Sequence, residues 1–502
     1  MTTVERVVTP HPGRAFTLGP LAAAALICLG AGLIGFTAGQ RGIVVIAALT
    51  VVAGGIAIAL QPDRATLVVV AILYSNAAAI AVQQHGLPYF AGAAFPFLLV
   101  VPFAYHVVVR REPVVVAGGL PFVVAFFLIL VLGTLTGMSA DPDRALSAFT
   151  TFVVEGLLIY VVVTNVVRSF EIARQIVWVL LLVGAFLGAL SVHQQLTGNF
   201  ASDYMGFAKV SEASIDPDPI DRSGGQPRLA GPIGEKNRYA QIMIVLVPLG
   251  LFRVWGERRR LLQLAAAGAT VLIGAGAMLT FSRGAALGLG VTVGLMVALR
   301  YIRTAQLVPL VVAVAVLLWS QPQYTQRLLT LEAVAGATTT RGESAAEDNS
   351  IRKRANEMIA ALLVFGDHPI IGVGRGLFPV YYLDYGGEVG IANEFETRQA
   401  HNLAVGIAAE TGILGLVSFA GVFLVTLRDL ARVRRRRPGD DPQAMLATGF
   451  ALAIVAYVTT GLFLHLSYER FLWLLLALAG AVAWLGLRWA DPVSAGRAPT
   501  GR

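Results

Sequence analysis

The chain has 502 residues, of which 56% are hydrophobic and only 14% charged, with a mean hydropathy of +0.71. A soluble domain carries about 25% charged residues, so the composition excludes a soluble globular protein and indicates an all-α polytopic integral membrane protein. The net charge of +8 does not indicate nucleic acid, because the arginines lie mainly in short stretches between apolar runs, as the positive-inside rule describes. Cys28 is the one cysteine and lies in the first apolar run, so no disulfide framework forms within the chain.

In chain order, Arg6 and Arg14 precede an apolar run over 16–38. It exceeds the roughly 7–15 residues of a signal-peptide core and has no clear small-x-small cleavage site after it, so it reads as a first membrane helix. Crossing the hydrocarbon takes about 20 apolar residues. Further runs of that kind lie near 41–60, 65–84, 90–109, 114–135, 148–166, 174–196, 239–255, 261–280, 284–301, 305–320, 402–427, 444–464 and 468–488. The expected count is about 12–14, since the tight turns at Gln40-Arg41 and Ser282-Arg283 mark their pairs weakly.

Placing the N-terminal tail, 1–15, in the cytoplasm puts Arg110-Arg111, Arg168–Arg174, Arg253–Arg260, Arg300–Arg303 and Arg428–Arg437 inside. Nearly all the short arginine clusters then share one side, and the tail 489–502 is cytoplasmic as well. The run Arg434–Arg437 reads as a topological anchor, with a lipid head-group patch as the alternative. Helices over 16–320 and 401–488 flank two polar segments on the outer face, 197–238 and 321–400. Loops of this length are functional or disordered, and the second reads as an ordered extracytoplasmic domain.

Basic residues gather at that outer face. Lys236 and Arg238 precede the eighth helix, Arg283 sits in the turn Phe281-Ser282-Arg283-Gly284, and Arg375 and Arg398 belong to the large loop. His401 and Asn402 open the twelfth helix. Charges at membrane depth are costly and tend to be functional, and arginine's planar fork of donors suits phosphate oxygens. Each has a plainer reading. Arg238 and Arg283 serve equally as snorkelling anchors, Arg375 as a solvated loop charge, and His401-Asn402 as a helix cap. Ser350-Ile-Arg352-Lys353-Arg354 reads as a solvated helix start, and Asp216, Asp218 and Asp221, interleaved with prolines, as a rigid polar turn rather than a metal site. His465 and Glu469-Arg470, in the last outer turn, either help hold a substrate or pair with each other. No phosphate-binding loop, paired-cysteine metal motif or serine elbow occurs, so cytoplasmic nucleotide-driven chemistry is not expected.

His401-Asn402, nine residues, Gly412, two residues and Gly415 resemble the His-Asn-x9-Gly-x-x-Gly signature of the bacterial O-antigen ligase and O-antigen polymerase superfamily. Three other pieces are similar in order and place. Gly231–Ala240 resembles the family's glycine-to-asparagine entry into a helix, with Glu235-Lys236-Asn237 where Asn-Pro-Asn is usual. Ser282-Arg283-Gly284 resembles its Ser-Arg-Gly turn, and His368-Pro369-Ile-Ile-Gly372-Val-Gly374 its His-Pro-x-x-Gly-x-Gly segment.

The resemblance implies a glycosyltransferase of the plasma (inner) membrane in cell-surface polysaccharide biosynthesis. Its donor is a glycan on a polyprenyl diphosphate and its acceptor is a lipid or surface glycan, with no cofactor and no metal. His401 is the implied general base, and Arg238 and Arg283 the implied cations for the leaving diphosphate. Lys236, Asn237, Arg375, Arg398 and Asn402 are implied as substrate-binding residues. Ligation of a preassembled chain is the first expectation and polymerisation the second. A transporter or flippase is a third, disfavoured because no internal repeat occurs and the charges cluster at one face rather than at the midplane.

Overall fold

The computed structural model describes residues 62–88, 92, 95–211, 227–302, 345–386, 398–438, 441–465 and 469–488. The expected spans over 16–38, 41–60 and 305–320, both tails and Asp216, Asp218 and Asp221 lie outside those residues. So do the side chains of Ser350, Arg352, Lys353 and Glu469. The described part from Thr66 onward is one compact unit. It is helical, with one two-stranded antiparallel sheet among the described residues, β1 (Lys209–Val210) and β2 (Leu229–Gly231).

The helices are α1 (Pro62–Tyr74), α2 (Ala77–His85), α3 (Pro96–Val109), α4 (Leu120–Gly137), α5 (Pro142–Val166), α6 (Phe170–Thr197), α7 (Lys236–Gly256) and α8 (Arg260–Met278). They continue as α9 (Arg283–Ala298), α10 (Ala345–Asp367), α11 (Phe378–Gly386), α12 (Leu403–Arg435), α13 (Pro442–Gly461) and α14 (Glu469–Arg488). Among the described residues eight helices are long and apolar enough to cross a membrane, and α1 with α2, bent by 55°, adds a ninth. The chain is a polytopic all-α membrane protein.

Several elements differ from the hydrophobic pattern, each for a local reason. The run near 65–84 breaks at Asn76, whose backbone is left-handed (φ 60°) and whose amide donates to the Pro232 carbonyl at 2.9 Å. The run near 148–166 starts six residues early, because Asp141 caps the Arg144 amide at 3.0 Å and Pro142 takes the first helical position, where its missing N–H costs nothing. The arginines over 428–435 are not a loop. They are the last turns of α12, a 33-residue helix that outruns the roughly 20 residues needed to span the hydrocarbon.

The interior is knit by aromatic rings rather than by charge. Trp473 of α14 meets Phe152 and Tyr160 of α5 edge-on at 5.4 and 6.1 Å, and Phe126 of α4 and Phe419 of α12 also pack on it. Such edge-to-face pairs add about 0.5–1.5 kcal/mol each beyond burial.

The feature that positions the site is a break in α12. Gly412 has φ 64°, ψ −168°, which is not helical, and the loop His368–Gly374 fills the gap. The Val373 and Gly374 amides donate to the Ala409 and Glu410 carbonyls at 3.1 and 2.9 Å. On the other side of the break, the Ile413 and Leu414 amides donate to the Pro369 and Ile370 carbonyls at 2.7 and 3.3 Å. In an intact helix those two amides would bond the very carbonyls that Val373 and Gly374 now take. Backbone groups have no water to turn to inside a bilayer, so the loop replaces both lost rungs. A Cβ on Gly412 would collide with the Ile370 carbonyl, and one on Gly372 (φ 69°) with the Glu410 carbonyl.

Gly412→Ala is therefore expected to lower stability by about 2–4 kcal/mol, from left-handed strain and overpacking together. Thermal unfolding of detergent-purified protein reads this as a clear drop in Tm, whereas Gly274→Ala, which meets nothing within 4 Å, leaves Tm near that of the wild type.

Candidate functional site

The starts of α7, α9 and α12 and the turn after α13 supply the polar cluster. Each helix is opened by a side chain that accepts backbone N–H groups left free in its first turn. Glu235 takes Asn237 N and Arg238 N at 3.0 and 2.6 Å, Ser282 takes Ala285 N at 3.4 Å, and Asn402 takes Ala404 N and Val405 N at 3.0 and 3.1 Å. The caps fix where Lys236, Arg238, Arg283 and His401 emerge.

Arg238 is buried, donates to Gln241 Oε1 at 2.7 Å and to the His465 carbonyl oxygen, and Gln241 in turn donates to Thr460 on α13 at 3.0 Å. The His465 ring lies edge-on to the His401 ring with centroids 5.6 Å apart. Burial, with the charges of Arg238, His401 and Arg375 beside it, holds the His465 imidazole down to about 3, so it is neutral near pH 7. Its Nδ1 is buried without a hydrogen-bond partner among the described residues.

His401 Nδ1 lies 2.5 Å from Glu357 Oε2 and 3.1 Å from the Gln399 carbonyl. Arg398 reaches the other carboxylate oxygen of Glu357 at 3.5 Å. Arg354 sits within the fields of Glu357, Glu235 and Arg283, which ties the α9 turn to the rest. Arg228 holds that turn from below, donating to the Thr280 and Phe281 carbonyls at 2.9 Å each.

Arg375 lies beyond His465, paired to the buried Glu410 carboxylate at 3.1 Å. The Gly376 and Phe378 amides also bond Glu410. A cavity of about 260 Å³ opens here, lined by Arg375, Glu410, Gln399 and His465 and by Ala148 and Thr151 of α5.

The residues expected from sequence thus gather at one end of the helices, in different capacities. Arg238, Arg283, His401 and Arg398 converge. Arg375 is half of a buried ion pair and not a solvated charge. Asn402 is committed within the fold: its oxygen caps α12 and its amide donates to the Leu462 carbonyl at 3.1 Å. Asn237 donates to Glu235 at 3.1 Å, and Lys236 is half-buried beside it. Sequence reasoning missed Glu357, Glu410 and Gln241, whereas Arg354 is exposed, as its solvated reading has it. The signal for Glu357 was its place on the face of α10 that also carries Ala360, Ala361 and Val364, all buried. A carboxylate on an apolar face asks for a partner.

Residues 268–420 match the family model described as O-antigen ligase. No curated protein matches the chain. The matched segment runs from α8 into α12 and contains Arg283, Glu357, Arg375, Arg398 and His401, whereas Arg238 and His465 lie outside it. Over that segment the chain is similar to the O-antigen ligase family.

The His465 ring carries a pH signature. Its folded value near 3 lies below the ordinary value of 6.5, so between the two the unfolded chain binds a proton that the folded one refuses. The stability tied to the neutral ring is complete above about pH 6.5 and is lost as the pH falls towards 3. The Tm of the purified protein is expected to fall from pH 6.5 to 4, and His465→Gln to flatten that fall. An equally steep fall in the variant would refute the assignment.

Proposed function

We propose that the chain moves a glycan from a polyprenyl diphosphate carrier to an acceptor hydroxyl at the extracytoplasmic membrane face. The observation that carries this reading is the meeting of Arg238, Arg283 and the Glu357–His401 pair at one end of the bundle. The reaction needs cations where a diphosphate departs and a base where a hydroxyl attacks.

As the acceptor oxygen attacks the anomeric carbon, its proton passes to the imidazole of His401. The bond from that carbon to the carrier phosphate breaks, and its electron pair leaves on the bridging oxygen. Cations preorganised around developing charge are commonly the largest catalytic contribution, and Arg238 and Arg283 take that role, with Lys236 beside them. A histidine ordinarily titrates near pH 6.5, close to the best value for a general base at neutral pH. In-line attack inverts the anomeric centre without a covalent intermediate. Arg375, neutralised by Glu410, is better suited to sugar hydroxyls than to phosphate. The neighbouring cavity, at about 260 Å³, has room for one sugar ring.

The membrane orientation follows from charge. Arg168, Arg258–Arg260, Arg300 and Arg428–Arg437 belong to the opposite helix ends, and the positive-inside rule places those ends in the cytoplasm. Residues 345–386 and 398–400 then face outward, where a flipped lipid-linked donor is available.

His401→Ala and Arg283→Ala are each expected to reduce transfer from a purified lipid-linked donor by at least about 100-fold, the usual contribution of a general base or an electrostatic donor, with normal membrane insertion. Near-wild-type transfer by His401→Ala removes the base role. Transfer to an added acceptor in one step supports ligation, whereas a ladder growing on the carrier indicates polymerisation. Uptake of substrate by vesicles without a new glycosidic bond indicates transport. Persistence of transfer in excess chelator is expected, and its loss overturns the cation-only chemistry.

A further inference from the structure

Glu357 is the most enclosed charge of the cluster, its side chain only 1% exposed. A buried carboxylate is costly unless it is paired and hydrogen-bonded, and here each oxygen has its own partner: Arg398 on Oε1, His401 Nδ1 on Oε2. The Gln399 carbonyl is the second neighbour of the same ring nitrogen. A backbone carbonyl only accepts hydrogen bonds, and so does an ionised carboxylate. Two acceptors at one nitrogen require that the hydrogen sit there. In the neutral ring the lone pair is then on Nε2.

The arrangement is enforced from both sides of the loop–helix interlock. Glu357 lies eleven residues before His368 and His401 eleven before Gly412. Helices α10 and α12 pack together and are pinned where those two segments exchange backbone bonds. The contact between Glu357 Oε2 and His401 Nδ1 is where the two segments meet again above that joint.

We propose that Glu357 is the positioning residue for His401: it fixes the Nδ1–H tautomer and aims a basic Nε2 at the acceptor hydroxyl. This rests on the base role of His401 given above. As the hydroxyl attacks, its proton goes to Nε2, and Glu357 remains ionised and stabilises the imidazolium, as a carboxylate behind a catalytic histidine does. Arg398 keeps the carboxylate aligned and touches no reacting atom.

Two measurements separate this from a merely structural carboxylate. Solid-state 15N NMR of histidine-labelled protein in liposomes, with His401→Gln subtracted to isolate one of the seven histidines, reads the tautomer without any activity. A protonated Nδ1 with an unprotonated Nε2 is expected, and the reverse tautomer overturns the proposal. In transfer assays Glu357→Gln, whose amide presents a donor as well as an acceptor, is expected to lower kcat by about 100-fold with the donor KM changed less than about twofold. Glu357→Asp recovers part of the loss, and Glu357→Gln adds nothing in a His401→Ala background. Wild-type kcat in Glu357→Gln overturns the proposal. If Glu357→Gln folds poorly, the wild-type tautomer still decides. If His401→Ala stays active while Nδ1 proves protonated, the base role fails and the positioning contact stands as structure alone.

Discussion

The four backbone hydrogen bonds between the loop at 369–374 and the broken rungs of α12 are the constraint on which the site depends. A helix break inside a bilayer exposes donors and acceptors that lipid cannot satisfy. Here another piece of the same chain satisfies them, and it can approach because Gly412 and Gly372 have no side chain in the way. The exchange fixes the loop to the helix, and with it three charged groups. Glu410 presents its carboxylate at the break itself. Arg375 comes one residue after the last bonded amide and meets it. Glu357 is carried on the helix that leads into the loop and arrives at His401.

Around that frame the charges are arranged in matched sets. Glu357 joins Arg398 and His401, and Glu410 holds Arg375. His465 stays neutral first because it is buried, and then because Arg238, His401 and Arg375 lie beside it. A buried ion pair is not by itself a large source of stability. Its value here is geometric, since each carboxylate sets the direction of a cation or imidazole near the point where a diphosphate would lose its glycan on the proposed reading.

Most of the scaffold was legible in the sequence, because apolar length alone identifies a crossing helix. The glycine-bearing motifs were legible too, although not as one object. Read along the chain, His368–Gly374 and His401–Gly415 are two separate signatures, and the pairing of Gly372 with Gly412 shows them to be two halves of one joint. What stayed hidden depends on distant partners. Glu357 is, with Asn356, one of two polar positions in the mostly apolar run over 355–365, and its partner His401 lies 44 residues on. The left-handed bend at Asn76 is set by the Pro232 carbonyl, 156 residues away, and no local hydrophobic period reports such a contact.

The division between shared and particular parts of the chain bears on what the enzyme selects. The family match covers α8 to the first half of α12, which holds His401, Glu357 beside it and Arg283, one of the two arginines proposed for the leaving diphosphate. The cavity beside them is completed from elsewhere, by Ala148 and Thr151 of α5 and by His465 after α13. Helix α4 also packs on the interlock, with Gly133 and Gly137 against Gly374 and Leu377. On the proposed chemistry, a reaction common to many glycans needs the same base and the same cations whatever the sugar, and those sit within the matched segment apart from Lys236 and Arg238. Recognition of one acceptor needs a wall shaped to it; most of the cavity lining, from Arg375 to Glu410, lies inside the match, and Ala148, Thr151 and His465 complete it from outside. On the proposed chemistry the base and the acceptor wall therefore share the segment from α10 to α12, with α5 and His465 closing the cavity from outside it.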